Sequence, residues 1–195
     1  MKTMQKRLIF AISTSILIGL LLGCTEKAIV TEQNNDIIEF LSSHYSQRQF
    51  SDGHIDDEII QQILTAGHRA GSAGNRQPWH FTVIRNKLLI DEIMNDVTEN
   101  NVLIVVSASD SATAEFDSAL ASQNMMLAAQ ALGLGARMYV RPIDNLNDNI
   151  LPKLNLPDNY RAIIILRIGY KADDVDATTA ASQRQPLEDK VNYID

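Results

Sequence analysis

Apolar residues recur along this chain with two different periods. In residues 54–71, HIDDEIIQQILTAGHRAG, Ile59, Ile63 and Ala66 fall on one helical stripe. Asp56 is placed to cap that helix, and Asp57 and Glu58 suit its positive end. Ile55 can staple onto Ile60, and Gly71 can end the helix. Residues 35–45 put Ile37, Ile38, Leu41 and Tyr45 on one helical face, and 87–99 reads as a short amphipathic helix. The longest predicted helix runs from Ala112 to Leu132, is nearly apolar over MMLAAQALGL, and is closed by Gly133 and Gly135. A helix apolar on most sides is buried in a core or in a subunit interface. Other segments follow a strand pattern. Trp79, Phe81 and Val83 alternate over 79–85, and VLIVVS at 102–107 is apolar throughout, as in a strand covered on both faces. Residues 136–140 and 161–169 predict further strands, with a loop containing Pro142, Pro152 and Pro157 between them. The elements describe a mixed α/β domain.

The first residues follow neither pattern. Lys2, Lys6 and Arg7 precede an apolar run from Leu8 to Gly23, and then comes Cys24, the chain's single cysteine. That order is the charged and apolar regions of a secretory signal. The run is short for a membrane-spanning helix, which needs about 20 residues. The sequence LLGC is similar to a bacterial lipobox. By that resemblance, cleavage after residue 23 leaves Cys24 as a lipid-bearing N-terminus, anchored in the cell envelope outside the cytoplasm. An uncleaved anchor helix is the alternative. Residues 24–34 then form a polar tether, and 35–195 the folded domain.

Charge and composition narrow the function. The chain has 195 residues, 45% of them hydrophobic, enough for one domain with a core. Its 17 basic residues fall to 14 once Lys2, Lys6 and Arg7 are removed, against 24 acidic ones, a balance of −10. That argues against nucleic acid as a partner and against an electrostatic grip on anionic lipid. A single cysteine makes no internal disulfide and no cysteine-based metal site. His44, His54, His68 and His80 show no metal-ligand spacing, so no metal is expected. GLGARM at 133–138 lacks a third glycine and follows a helix, which excludes the dinucleotide-binding fingerprint; no phosphate-loop or nucleophile-elbow motif occurs.

Separated stretches, taken together and in order, resemble the nitroreductase family of FMN-dependent oxidoreductases. They are HYSQRQF at 44–50, AGSAGNRQPWHF at 70–81, AAQALGLGA at the end of the long helix, and RQPLEDKV at 184–191. The resemblance implies an α+β fold with a mixed or antiparallel central sheet flanked by helices, and an obligate homodimer with FMN at its interface. It places the FMN phosphate at Ser46 and Arg184, with His44 and Tyr45 assisting. A hydroxyl and a guanidinium fork suit a phosphate. Arg48 falls where the family points a cation at the flavin N1–C2 edge, where reduction accumulates negative charge. Ser72 and Asn75 lie in the loop that reaches the flavin of the other subunit, and small residues there let the backbone approach closely. Val140 aligns with the residue whose N–H faces flavin N5. Hydride chemistry is borne by the flavin, so no catalytic side chain is expected.

The sequence also departs from the family pattern. His44 and Tyr45 replace arginines, Gly71 replaces a proline, and Val140-Arg141 stands where the family usually carries a glycine beside the ring. Arg141 is placed either to intrude on the pocket or to meet an anionic substrate. Two functions follow. The first is a two-step, two-electron oxidoreductase that passes electrons from a donor to a nitroaromatic, quinone or similar small acceptor. The family's usual donor is NADH or NADPH; a lipid anchor outside the cytoplasm would favour a membrane quinol or a protein. The second is a non-catalytic envelope module that keeps the fold.

Overall fold

A computed structural model describes residues 35–173 and 183–194; the signal segment, Cys24 and the tether lie outside the described residues. The chain falls into two units, Met1–His44 and Tyr45–Asp195. In the first, helix α1 covers residues 35–43. It stops short of Tyr45, which the sequence pattern had placed on its face.

The second unit carries a four-stranded sheet in the order β1-β2-β4-β3, from β1 (Trp79–Ile84), β2 (Val102–Ser109), β3 (Gly135–Tyr139) and β4 (Tyr160–Gly169). Every neighbouring pair is antiparallel. Helices α2 (Asp57–His68), α3 (Lys87–Ile93) and α4 (Ala114–Ala131) flank it.

The predicted double burial of 102–107 follows from this order. Val102, Ile104, Val106 and Ala108 face one apolar cluster with Ile60 and Ile63 of α2 and Met125 of α4. Leu103 and Val105 face the other, with Ile90 and Ile93 of α3. This antiparallel strand is thus apolar at every position from Val102 to Val106 because its sheet is covered on both sides. The ladder slips once: Val106 pairs with Ile164 but Ser107 with Ala162, leaving Ile163 as a bulge. The bulge turns Ile163 and Ile164 toward the same cluster.

Several boundaries differ from expectation. Asp56 occupies the N-cap of α2 in an extended conformation, but its side chain accepts no capping hydrogen bond. The helix ends at His68 rather than Gly71, closed by Arg69 N–H bonds to the Thr65 and Ala66 carbonyls. Helix α3 ends at Ile93, not at residue 99, because Met94 swings into an extended conformation, and Val97 tucks into the α3 cluster. The proline-containing loop is largely helical: a turn at Ile143–Asn145 runs into wider and tighter turns at Leu146–Ile150 and Leu151–Leu154. Ile143, Leu146, Ile150 and Leu154 bury one face of it.

Candidate functional site

The sequence-predicted residues separate into groups by the elements that carry them. Segment 45–52 lies against the end of the sheet. The Gln47 N–H donates to the Ala136 carbonyl of β3 at 3.0 Å, and the Ser51 N–H to the Tyr170 carbonyl at 2.9 Å. Gln130 of α4 donates to the Tyr45 carbonyl, and Lys171 Nζ stands 6.0 Å from the Tyr45 ring centroid. Gln47 is fully buried, so its neighbours Ser46 and Arg48 are turned outward. Val140 follows β3 directly and is 68% exposed, with Arg141 exposed beside it. Ser46 and Arg48 flank the Gln47 contact near the start of β3, and Val140 lies just past that strand's other end. At about 3.3 Å per strand residue, Val140 lies ~13 Å along β3 from the Ala136 contact.

Ser72 and Asn75 lie elsewhere. Ala73–Asn75 forms a single tight turn with Gly74 at φ 60°, a conformation that favours glycine. Asn75 at φ 55° and Gln77 at φ 50° share the left-handed region. Ser72 Oγ accepts from the Gln77 N–H at 3.0 Å. The loop is tied to α4 through Asp117, a fully buried carboxylate. Asp117 accepts from the Ala73 N–H at 3.0 Å and from the Thr113 hydroxyl at 2.9 Å. Asp117 and Gln130 stand 13 residues apart on α4, about 20 Å at 1.5 Å per residue. The two groups thus sit at opposite ends of one helix and next to opposite edge strands.

Trp79 explains the loop's exit. Its indole is buried, stacks on Phe81 at 6.4 Å with an interplanar angle of 8°, and donates Nε1–H to His68 Nδ1 at 3.4 Å. The indole pins the start of β1 just after a glycine-containing loop. A cavity of about 540 Å³ opens here, lined by His68, Arg69, Gln77, Trp79 and Phe81 among others.

The other predicted residues are placed separately. His44 belongs to the first unit, where its Nδ1–H donates to the Leu41 carbonyl at 2.6 Å. Arg184 is exposed, in the stretch before a short turn at Leu187–Lys190. Arg167, Asn101 and Asp117 were not singled out by the sequence. Arg167 left a signal: it is the lone charge in the apolar run 162–168. Burial holds its guanidinium below the ordinary value, against a smaller opposing effect of Tyr139.

Ser46 carries a hydroxyl and Arg48 and Arg184 carry cations, and all three residues are exposed. These are donor types that a flavin mononucleotide's phosphate and ring can accept from, and a Cβ at Gly71 would meet nothing within 4 Å.

Comparison with known proteins places the fold and the family. The FMN reductase (NADPH) of Bacillus subtilis is 27% identical over 176 residues, 71% of this chain and 67% of its own. The oxygen-insensitive NADPH nitroreductase of Salmonella typhimurium is 25% identical over 185 residues, 79% of this chain and 77% of its own. A crystal structure of a nitroreductase with bound FMN from Bacteroides fragilis superposes with a TM-score of 0.70 at 20% identity, covering 82% of this chain and 99% of that one. The nitroreductase family model matches residues 41–103 and 97–170, well over half the chain, and the chain belongs to the nitroreductase family.

Proposed function

We propose that this protein is an FMN-dependent oxidoreductase that moves two electrons from a donor to a nitroaromatic, quinone or similar small acceptor. The observation that carries the reading is the exposed Ser46–Arg48 pair flanking buried Gln47 at the β3 edge, within a chain of this family. When bound, FMN supplies the redox chemistry. The chain's residues bind and orient it: Ser46 and Arg184 hold the phosphate, with Tyr45 and His44 beside it in sequence, and Arg48 places a fixed cation at the N1–C2 edge. Val140 presents its backbone to the ring. The family relatives named above make NADPH the first donor to test.

The homodimer belongs to the same proposal. Ser72 and Asn75 lie about 20 Å from the Tyr45–Arg48 segment along α4, too far to enclose one ring within one chain. A second copy related by a two-fold axis can bring its own loop to the β3 edge. Phe116 and Leu120, one turn apart on α4, are exposed and apolar, as a face that meets a partner would be.

Lipid on Cys24, and with it attachment to the cell envelope, rests on the basic, apolar and LLGC order at the N-terminus. Intact mass of membrane-extracted protein tests it: a lipid-bearing start at Cys24 supports the anchor, and an unmodified Met1 start removes it.

The redox reading is tested by anaerobic addition of NADPH to the purified protein loaded with FMN. Bleaching of the oxidised-flavin band, reversed by a nitroaromatic or quinone, supports the oxidoreductase. A protein that takes up no FMN supports the envelope module instead.

A further inference from the structure

Arg167 lies within β4 between Leu166 and Ile168, and it is 6% exposed. Taking a guanidinium out of water is costly unless its donors are all engaged. Its partners here are neutral. Nε donates to Asn101 Oδ1 at 2.9 Å, one terminal nitrogen to Thr98 Oγ1 at 2.9 Å, and the other to the Asp96 carbonyl at 3.3 Å. The guanidinium carbon stands 4.2 Å from the centroid of the Phe50 ring.

These partners converge on one segment. Asn101 Nδ2 donates to the Ser51 carbonyl at 2.9 Å, and Asn100 Nδ2 to the Asp52 carbonyl at 2.8 Å. The Thr98 hydroxyl donates to the Phe50 carbonyl at 3.4 Å. Phe50 forms an isolated antiparallel bridge with Lys171. Arg167 thus joins β4 to the loop 96–101 and, through that loop and the Phe50 ring, to the segment that carries Arg48.

We propose that Arg167 is a positioning residue, which fixes segment 47–52 and hence Arg48 at the β3 edge. The proposal rests on the reading of Arg48 as a flavin contact. The guanidinium is the group this place requires. A planar fork donates along several directions while its face lies on an aromatic ring. A methionine could fill the space but would donate nothing, and a lysine would give a point charge without the fork.

The test is amide hydrogen exchange on the full, cofactor-free chain, comparing wild type with Arg167→Met and Arg167→Lys. The Gln47 and Ser51 amides should exchange at least tenfold faster in Arg167→Met, and by a smaller factor in Arg167→Lys, while β2 amides keep their protection. Unchanged protection at Gln47 and Ser51, or equal loss across the whole sheet, overturns the proposal. If Arg167→Met fails to fold, Phe50→Leu removes the ring contact alone and should give the same local pattern; its absence is equally contrary. FMN loading followed by potentiometry separates this from the functional reading. Arg167→Met should lower the midpoint potential of the bound flavin when Arg48 is present but add nothing in an Arg48→Ala background, whereas additive shifts contradict action through Arg48. If the wild type binds no FMN, the functional reading fails, and the exchange data still decide the clamp.

Discussion

Gly135 and Gly169 face each other across the β3–β4 ladder, and loop side chains fill the space beside each. A Cβ at Gly135 would come within 2.5 Å of Gln47 Cγ, and one at Gly169 within 2.6 Å of Asn101 Nδ2. The pair leaves room for the segment that carries Arg48 and for the asparagine that holds it. Gly135→Ala should therefore cost about 1–3 kcal/mol, as overpacking does. Gly71→Ala, facing open space, should stay within about 0.5 kcal/mol of wild type. Denaturant unfolding of both variants checks the contrast.

Asp117 holds the Ser72–Asn75 loop to α4. Asp117→Ala leaves the Ala73 N–H and the Thr113 hydroxyl without their acceptor. The expected loss is about 1.5–3 kcal/mol, the range for hydrogen bonds to a charged group. Trypsin should also cleave after Arg76 faster than in wild type. Wild-type cleavage kinetics in this variant would show that the loop does not depend on the carboxylate.

Glu115 and Arg161 form an exposed ion pair across α4 and β4. The hydrogen bond from Arg161 holds the Glu115 carboxyl below its usual range, aided by a backbone bond and the same guanidinium's charge. A depressed folded value makes the contribution present above the unfolded value, about 4.3, and lost as pH falls through the folded one. The stability gap between wild type and Glu115→Gln should be small at pH 7. It should shrink as pH falls below about 4.3, disappear once pH has passed the lower folded value, and shrink in molar salt. A gap that grows on acidification contradicts the pairing.

Arg184 and Arg48 are read as acting on different parts of one cofactor. Arg184→Ala should weaken FMN binding by about 1.5–3 kcal/mol with little change in flavin potential. Arg48→Ala should lower the midpoint potential, by about 30 mV for each 1.4 kcal/mol of lost differential stabilisation in a two-electron couple. FMN titration and potentiometry of both variants check this. Identical effects of the two substitutions would contradict the assignment.

Much of the sheet was legible in the sequence because its signals are local. VLIVV is apolar at every position since clusters cover both faces of β2, and Trp79 and Phe81 share the face that packs on α2 and α4 while Ile84, on the other, joins the α3 cluster. The helical run 143–154 was hidden by Pro142 and Pro152, although Ile143, Leu146, Ile150 and Leu154 follow a helical period. Pro142 sits at the N-cap of the first turn and Pro152 in the first turn of the last, where a missing N–H costs little. Ser46 and Arg48 were legible as a motif, but their outward turn depends on Gln47 meeting Ala136, 89 positions away. Asp117 and Asn101 were silent for the same reason. Their partners, Ala73 and Ser51, lie 44 and 50 residues away, and no periodicity encodes such pairings.

The claim that one flavin site draws on two chains is tested most directly by FMN binding to a refolded equimolar mixture of Arg48→Glu and Ser72→Glu. Each variant alone should bind FMN weakly, since every site in its own dimer carries the defect. In a two-fold dimer that shares sites across the interface, a hybrid has one doubly altered site and one intact site. Random pairing then restores tight binding at roughly a quarter of all sites. Recovery at that level is the predicted result; a mixture that binds no better than its two components contradicts the shared site.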